Sequence, residues 1–400
     1  MSWSLATLGD LCEVSTGQSA PQEADAFSDI GRPFIRAGSL DQLVNGGSED
    51  ALEKISEENA RRFRMRLFPA GTIVFAKSGM SATLGRVYRL RSSCYVVSHL
   101  ATLIPTERLD GVFLLRWLEA NPPSRFIENE AYPSIKTSEI QNVQIPFPEF
   151  TEQRRIAAVL DKANSVRQKR KQALNQCEDL KASIMDSSLR ESNETVTETI
   201  GALLDSGVIE LHKDGNHGAN YPRAEEFVGK LDGGLPFITA KNLRLDGSIG
   251  EEEVAYLGEE KAQKLTIGWL TAGDVLLAHN ATVGPVGIFR GEWERALIGT
   301  SLTCFRPNLA KTSTEAIYAA LSDPAFQKQL RKQMKQTTRN QVPITAQREL
   351  RIRLPSGNAI SILAQKLARL RTIYSKHELF LRDADLLFAS LCQRAFAGRL

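Results

Sequence analysis

The strongest constraint in this sequence is that it repeats itself. "PFIRAGSL" starts at Pro33 and "PFITAKNL" at Pro236, 203 residues later. "GTIVFAKSGMSATLGRVY" from Gly71 faces "GDVLLAHNATVGPVGIF" from Gly273, 202 later, with a small gap before the Gly85/Gly284 match. "PSIKTSEIQNVQIP", ending at Pro146, faces "VPITAQRELRIRLP", ending at Pro355, 209 later. The stretches that follow align without gaps at 207. Four blocks in one order at nearly one spacing indicate a duplication.

Each copy reads as a globular unit of about 150 residues followed by a helix, which suits a 400-residue chain too long for one ordinary core. Runs such as "TIVFA", "CYVVSH", "DVLLA" and "LTCFRP" lie between Gly and Pro breaks and read as short strands. Helical stretches near 112–120 and 314–336 interrupt them, so the expected class is α+β. The domain scheme is 1–150 for the first globular unit, 151–190 for a first helix, 191–355 for the second unit and 356–400 for a second helix.

In the first helix Ile156, Val159, Ala163, Val166, Ala173, Cys177, Leu180 and Ile184 fall on a 3–4–3–4 spacing. Adding 207 gives Leu363, Lys366 with Leu367 beside it, Leu370, Ile373, Phe380, Ala384, Leu387 and Leu391. This is the pattern of a coiled-coil seam. Arg170 and His377 form its shared polar position, which serves either to fix register or to snorkel to the edge. A helix of about 40 residues is on the order of 60 Å long, and its apolar stripe needs cover. The chain leaves along one helix, builds the second unit and returns along the other, so the expected pair is antiparallel. It would separate two similar heads related by pseudo-twofold symmetry.

The net charge of +3 neither demands nor forbids a nucleic-acid partner. No run of 18 apolar residues occurs, and the N-terminus lacks a basic region followed by an apolar core, so neither a membrane span nor secretion is expected. Cys12, Cys94, Cys177, Cys304 and Cys392 are scattered and odd in number, which suits a reducing cytoplasm and gives no zinc site.

Two similar heads at a set separation suit a two-part target, and symmetric binders read DNA half-sites about 34 Å apart. The run "IQNVQIPFPEFTEQRRIAAVLD", its counterpart "LRIRLPSGNAISILAQKLARL" and the ending "LCQRAFAGRL" resemble the specificity subunit of type I restriction–modification enzymes. The most specific piece is the helix entry with Pro146, Pro148, Glu152, Gln153 and Ile156. The second copy departs from it: Pro355 remains, "SGNAIS" replaces the Glu–Gln pair, and Gln365 follows further on. The resemblance implies two target recognition domains, each reading half of a split double-stranded DNA sequence. It implies helices that set the spacer and dock two modification (methyltransferase) subunits, with restriction subunits joining that core. It implies no catalysis and no cofactor in this chain, S-adenosylmethionine belonging to the methyltransferase partner.

"NPPS" at 121–124 resembles the Asn–Pro–Pro–aromatic motif of adenine methyltransferases, which raises the alternative of a single-chain methyltransferase. Ser124 stands at the aromatic position and no glycine-rich cofactor loop precedes it, so the stretch reads as a turn ending a helix. No GxxxxGK[ST] and no metal-ligand spacing occurs. A second alternative is a coiled-coil scaffold without DNA binding.

Candidate DNA contacts are long polar donors at matched loops. Arg36 and Ser39 face Thr239, Lys241 and Asn242; Lys77 and Ser78 face His279 and Asn280. Lys136 and Thr137 face Arg339, Asn340 and Gln341. Arg and Lys suit guanine edges and phosphates, Asn and Gln suit adenine, and unlike side chains at matched places are what unequal half-sites require. The run 327–340 carries Lys328, Arg331, Lys332, Lys335 and Arg339 with no acid, a face that suits phosphates or plain solvation.

Overall fold

The computed structural model describes residues 3–129, 131–190, 195–244, 246–334, 340–355 and 357–400. It divides into two compact units: Met1–Gln172 with Glu378–Leu400, and Ala173–His377. The boundary falls inside both long helices rather than at their ends, because each half-helix packs on its own globular part. Each unit mixes short sheets with helices, so the class is α+β.

In the first unit an antiparallel sheet runs in the order Cys12–Thr16, Leu100–Pro105, Ile73–Ala76, Val87–Arg89. Successive side chains leave a strand on opposite faces. Accordingly Ile73 and Phe75 enter one apolar cluster, and Val74 and Ala76 another. The second unit repeats this with Ile209–Asp214, Leu302–Pro307, Val275–Asn280 and Thr282–Ile288. There Val275 and Leu277 take one side, Leu276 and Ala278 the other. Even the register is shared: Ile73 pairs with Leu103 and Val275 with Phe305.

A smaller sheet follows in each unit, with a parallel pair at one edge: Phe34 with Tyr95, and Phe237 with Leu297. A two-stranded ribbon, Ser4–Thr7 with Gln144–Phe147 or Val196–Thr199 with Arg351–Leu354, leads into the long helix. The shorter helix Gly111–Ala120 is capped by Asp110, whose carboxylate accepts from the Val112 and Phe113 N–H groups at 2.9 Å. Ser313 caps Thr314–Ser322 in the same way, through the Ala316 N–H at 3.1 Å.

The long helices span Phe150–Arg190 and Asn358–Phe396. Within the first unit they run antiparallel: Arg155 donates to the Leu400 carbonyl (3.0 Å), and Arg167 pairs with Asp385 (2.7 Å). Within the second unit Met185 shares an apolar cluster with Leu363.

The phase of the seam needs correction. Ile156, Ala163, Arg170, Cys177 and Ile184 are buried or half-buried, as are Leu363, Leu370, His377, Ala384 and Leu391. Much of the alternate set lies off the seam: Val166 (45% exposed), Leu180 (50%), Ile373 (47%) and Leu387 (56%) face outward. Phe380 (48%) lies at the margin under Arg170, and only Val159 and Ala173 are half-buried among its apolar members. The inner stripe is completed instead by Leu160, Arg167, Leu174, Lys181 and Ser188, and by Leu367, Tyr374, Leu381, Phe388 and Ala395. That stripe also has 3–4–3–4 spacing. Apolarity alone picks the wrong one because Arg167 occupies an inner position, neutralised by Asp385 and stacked over Phe388 at 4.4 Å.

Candidate nucleic-acid interface

Backbone hydrogen bonds bring the predicted loops together at one edge of each unit. In the first, Val97 N donates to Ile35 O (3.0 Å), Lys77 N to His99 O (2.9 Å), and Ile135 N to Lys77 O (2.8 Å). In the second, Gly299 N donates to Ile238 O (2.8 Å), His279 N to Ser301 O (3.0 Å), and Val342 N to His279 O (2.9 Å). The segments after Ile35, at Lys77 and before Ile135 thus form one edge, and so do those after Ile238, at His279 and before Val342. Isolated bridges Ser78–Ser134 and Asn280–Gln341 close each edge.

The side chains divide by what already holds them. Arg36 pairs with Glu53 (2.8 Å) and lies over Phe27 and Phe34; the Ser39 hydroxyl accepts from Arg36 N (3.3 Å). Asn242 is buried and its Oδ1 accepts from Thr239 N (2.8 Å) and Oγ1 (3.1 Å), which spends it on its own turn. His279 is fully buried, its Nδ1 bonded to the Thr303 hydroxyl (2.8 Å), so its ring does not reach an outside base. These positions correct the expectation of free reading groups at Asn242 and His279: the Asn242 oxygen satisfies its own turn, and the His279 ring points from its strand to the buried Thr303 hydroxyl. Lys136 starts the helix Thr137–Asn142 and pairs with Glu139 (3.1 Å). The structural counterpart of Gln341 is therefore Ser134, not Lys136 or Thr137. Lys241 and Asn340 are exposed, and Lys77, Ser78, Asn280 and Gln341 half-buried.

Behind the second edge lies a buried polar chain. His212 Nε2 meets Gln347 Oε1 (3.1 Å), Gln347 Nε2 donates to Thr303 Oγ1 (3.0 Å), and Thr303 meets His279. Burial pushes the His279 pKa down to about 4 against a partial pull from Asp214, and burial also lowers that of His212. Both rings therefore stay neutral at pH 7.

The basic run forms the helix Pro324–Met334, with Phe326 and Leu330 buried and Lys328, Arg331 and Lys332 exposed. Gln327 Nε2 ties it to the neighbouring strand through Gly284 O (2.9 Å). Lys335 and Arg339 lie outside the described residues. At the "NPPS" stretch the helix ends at Ala120 and Asn121 caps it, its Nδ2 donating to Trp117 O (3.1 Å).

His99 was missed. It is exposed, its Nδ1 bonds the Ser78 hydroxyl (2.9 Å), and its carbonyl accepts from Lys77 N. Its counterpart, 202 residues on, is Ser301, whose Oγ accepts from Ala240 N (3.0 Å). The 202 spacing was the available signal. Tyr132 (81% exposed) stands on the loop leading to the Ser134 bridge, with nothing in the sequence to mark it.

Residues 2–176 match the family described as "Type I restriction modification DNA specificity domain". The chain is 28% identical over 149 residues to the type I restriction enzyme MjaIX specificity subunit of Methanocaldococcus jannaschii. That match covers 36% of this chain and 34% of the relative, about a third of its length. A solved S subunit of a type I restriction–modification system from M. genitalium superposes with a TM-score of 0.60 at 14% identity. It covers 99% of this chain and 96% of that one, a likeness of fold across the whole length.

Proposed function

We propose that this chain is a type I restriction–modification specificity subunit, a non-catalytic reader of a split double-stranded DNA site, one half per unit. The observation that carries this is the pair of matched edges, identical in backbone hydrogen bonding and different in side chains. Lys77, Ser78, His99 and Ser134 in one stand where the other has Asn280, Ser301 and Gln341 beside the buried His279, whose ring takes no part in reading. A shared frame with unlike donors is what two different half-sequences require. Lys328, Arg331 and Lys332 would lie along phosphates, with Lys241 and Asn340 as further polar contacts.

The outward heptad positions supply the second half of the reading. Val166 and Leu387 in the first unit, and Leu180 and Ile373 in the second, leave apolar helix surface exposed, and the half-exposed Phe380 lies under the Arg170 guanidinium at 4.8 Å. We assign that exposed surface to helices of two modification subunits, with S-adenosylmethionine in those subunits and restriction subunits joining the assembly. The scattered free cysteines go with a cytoplasmic setting.

The test is a band-shift series on duplexes carrying random sequence, with the modification subunit present, followed by a methylome of cells carrying both proteins. The expected product is one split motif methylated on both halves. A complex indifferent to every split sequence would end this proposal.

A further inference from the structure

The two units differ at one matched place. In the first, Arg116 is only 6% exposed and donates to Glu119 (2.6 Å) and Asp161 (2.5 Å), joining the helix Gly111–Ala120 to the long helix. The capping residues Asp110 and Ser313 align the short helices at 203, and the long helices align at 207. The counterparts of Arg116, Glu119 and Asp161 are therefore Ala319, Ser322 and Ala368. An ion network around a buried arginine in one copy is replaced by three small residues in the other.

In the second unit a cavity of about 360 Å³ opens where Ala368 and Tyr374 of the long helix face Tyr318 of the short one. That volume falls within the range of about 300–1,000 Å³ usual for small-molecule pockets. Two guanidinium groups line it, Arg290 and Arg371. Arg290 reaches only two backbone carbonyls, Gly247 O and Ile288 O, at 3.4 and 3.5 Å. Among the described residues no ion pair joins either guanidinium to a carboxylate. Burial, and then the nearness of Arg371, lower the Arg290 pKa, against an opposing pull from Glu292, Glu315 and Asp246. Two neighbouring guanidinium groups with no carboxylate in an ion pair to either repel each other and suit an oxyanion, whose geometry their planar donors match.

The remaining lining limits the ligand. Glu178 is held by Lys181 (2.7 Å), and Asp246 accepts from Ser248 N (2.9 Å) and Oγ (2.6 Å), but Glu315 has no such partner. Three carboxylates around one cavity disfavour a highly charged polyphosphate. Leu309, Leu367 and Tyr374 offer apolar wall for an organic portion. We propose that this cavity binds a phosphate monoester of mononucleotide size, with Arg290 and Arg371 on the phosphate and the aliphatic and tyrosine walls around the rest.

Calorimetric titration of the full chain with AMP, ribose 5-phosphate, inorganic phosphate and ATP tests this. One site per chain is expected for a monoester, at least tenfold tighter than for inorganic phosphate or ATP. Preference for AMP would identify a nucleotide, and preference for ribose 5-phosphate a sugar phosphate. Arg371→Ala should weaken binding at least tenfold, and Arg369→Ala, on the exposed face, should leave it unchanged. Ala368→Asp, which adds a fourth carboxylate to the lining, should abolish binding with the far-UV circular dichroism kept. Should that variant fail to fold, Arg371→Ala alone decides. No stoichiometric binding of either monoester at millimolar concentration, equal binding of inorganic phosphate, or undiminished binding by Arg371→Ala would overturn the proposal.

Discussion

Gln153 Oε1 accepts the backbone N–H of Asp110 at 2.8 Å, while its Nε2 donates to Pro148 O (2.9 Å) and Arg108 O (3.1 Å). The side chain is fully buried. It ties the capped start of Gly111–Ala120 to the first turn of the long helix, which gives the Glu–Gln entry its physical meaning. Its counterpart 207 residues on is Ile360, packed beside the apolar cluster that holds Leu363. The second copy lacks the pair because it closes the same junction with hydrocarbon. Gln153→Ala should cost about 3 kcal/mol, since it orphans a buried N–H and two carbonyls. Urea denaturation measures it, and a loss under 1 kcal/mol would mean that water replaces the amide.

The basic helix yields an ionic-strength prediction. Each phosphate neutralised contributes about 0.9 to the slope of log affinity against log salt. Replacing Lys328, Arg331 and Lys332 by Gln should weaken DNA binding and flatten that slope by about 2–3, with sequence preference retained. An unchanged slope would assign this face to solvent.

The repeat, the α+β class and the antiparallel helices were legible because they depend on patterns that survive averaging: strand runs, repeated blocks at nearly one spacing, and a 207 offset held along both long helices. The phase of the seam was not. Val166 and Arg167 are neighbours, and hydropathy favours the valine, yet the arginine lies inside because Asp385 and Phe388 receive it. The edge residues were half legible. Loop equivalence pointed to Lys77 and His279, but not to the burial of His279, which depends on Thr303 and Gln347 arriving from distant strands and helices. His99 escaped because it sits just before a strand rather than in a polar loop.

Unlike side chains on a common frame make half-site specificity separable. Exchanging Asn280 and Gln341 for Ser, the residue at both matched positions of the first unit, should change the recognised bases in one half only. A lost amide contact to adenine is worth about 1–3 kcal/mol of discrimination. Methylome sequencing reads both halves at once, so the unaltered half is its own control. Changes in both halves would contradict the assignment of one unit to each.

The exposed heptads separate assembly from folding. Val166→Lys with Leu387→Lys alters outward positions and leaves the inner stripe of Leu381, Ala384 and Phe388 intact. The chain should keep its melting temperature within a few degrees and lose co-purification with the modification subunit. The inner change Phe388→Lys should instead unfold the helix pair in the first unit.

The buried histidines make the second unit acid-sensitive. His279 faces Thr303, with Asp214, His217 and His212 as its charged or titratable neighbours. His212 has Gln347, Arg348, Asp214 and Lys213 around it. The folded His279 pKa of about 4 lies below the ordinary histidine value of 6.5, so unfolding takes up a proton between those values. Stability from the neutral ring is complete above pH 6.5 and is lost as pH falls towards 4, a change on the order of 3 kcal/mol. The first unit has Val14, Lys77, Ala101 and Ile140 at these places and lacks the device. Hydrogen exchange at pH 7 and pH 4.5 should therefore show faster opening of Val275–Asn280 on acidification, with Ile73–Ala76 little changed. His279→Asn, which removes the titrating ring, should erase that difference; if it persists, the sensitivity comes from another group.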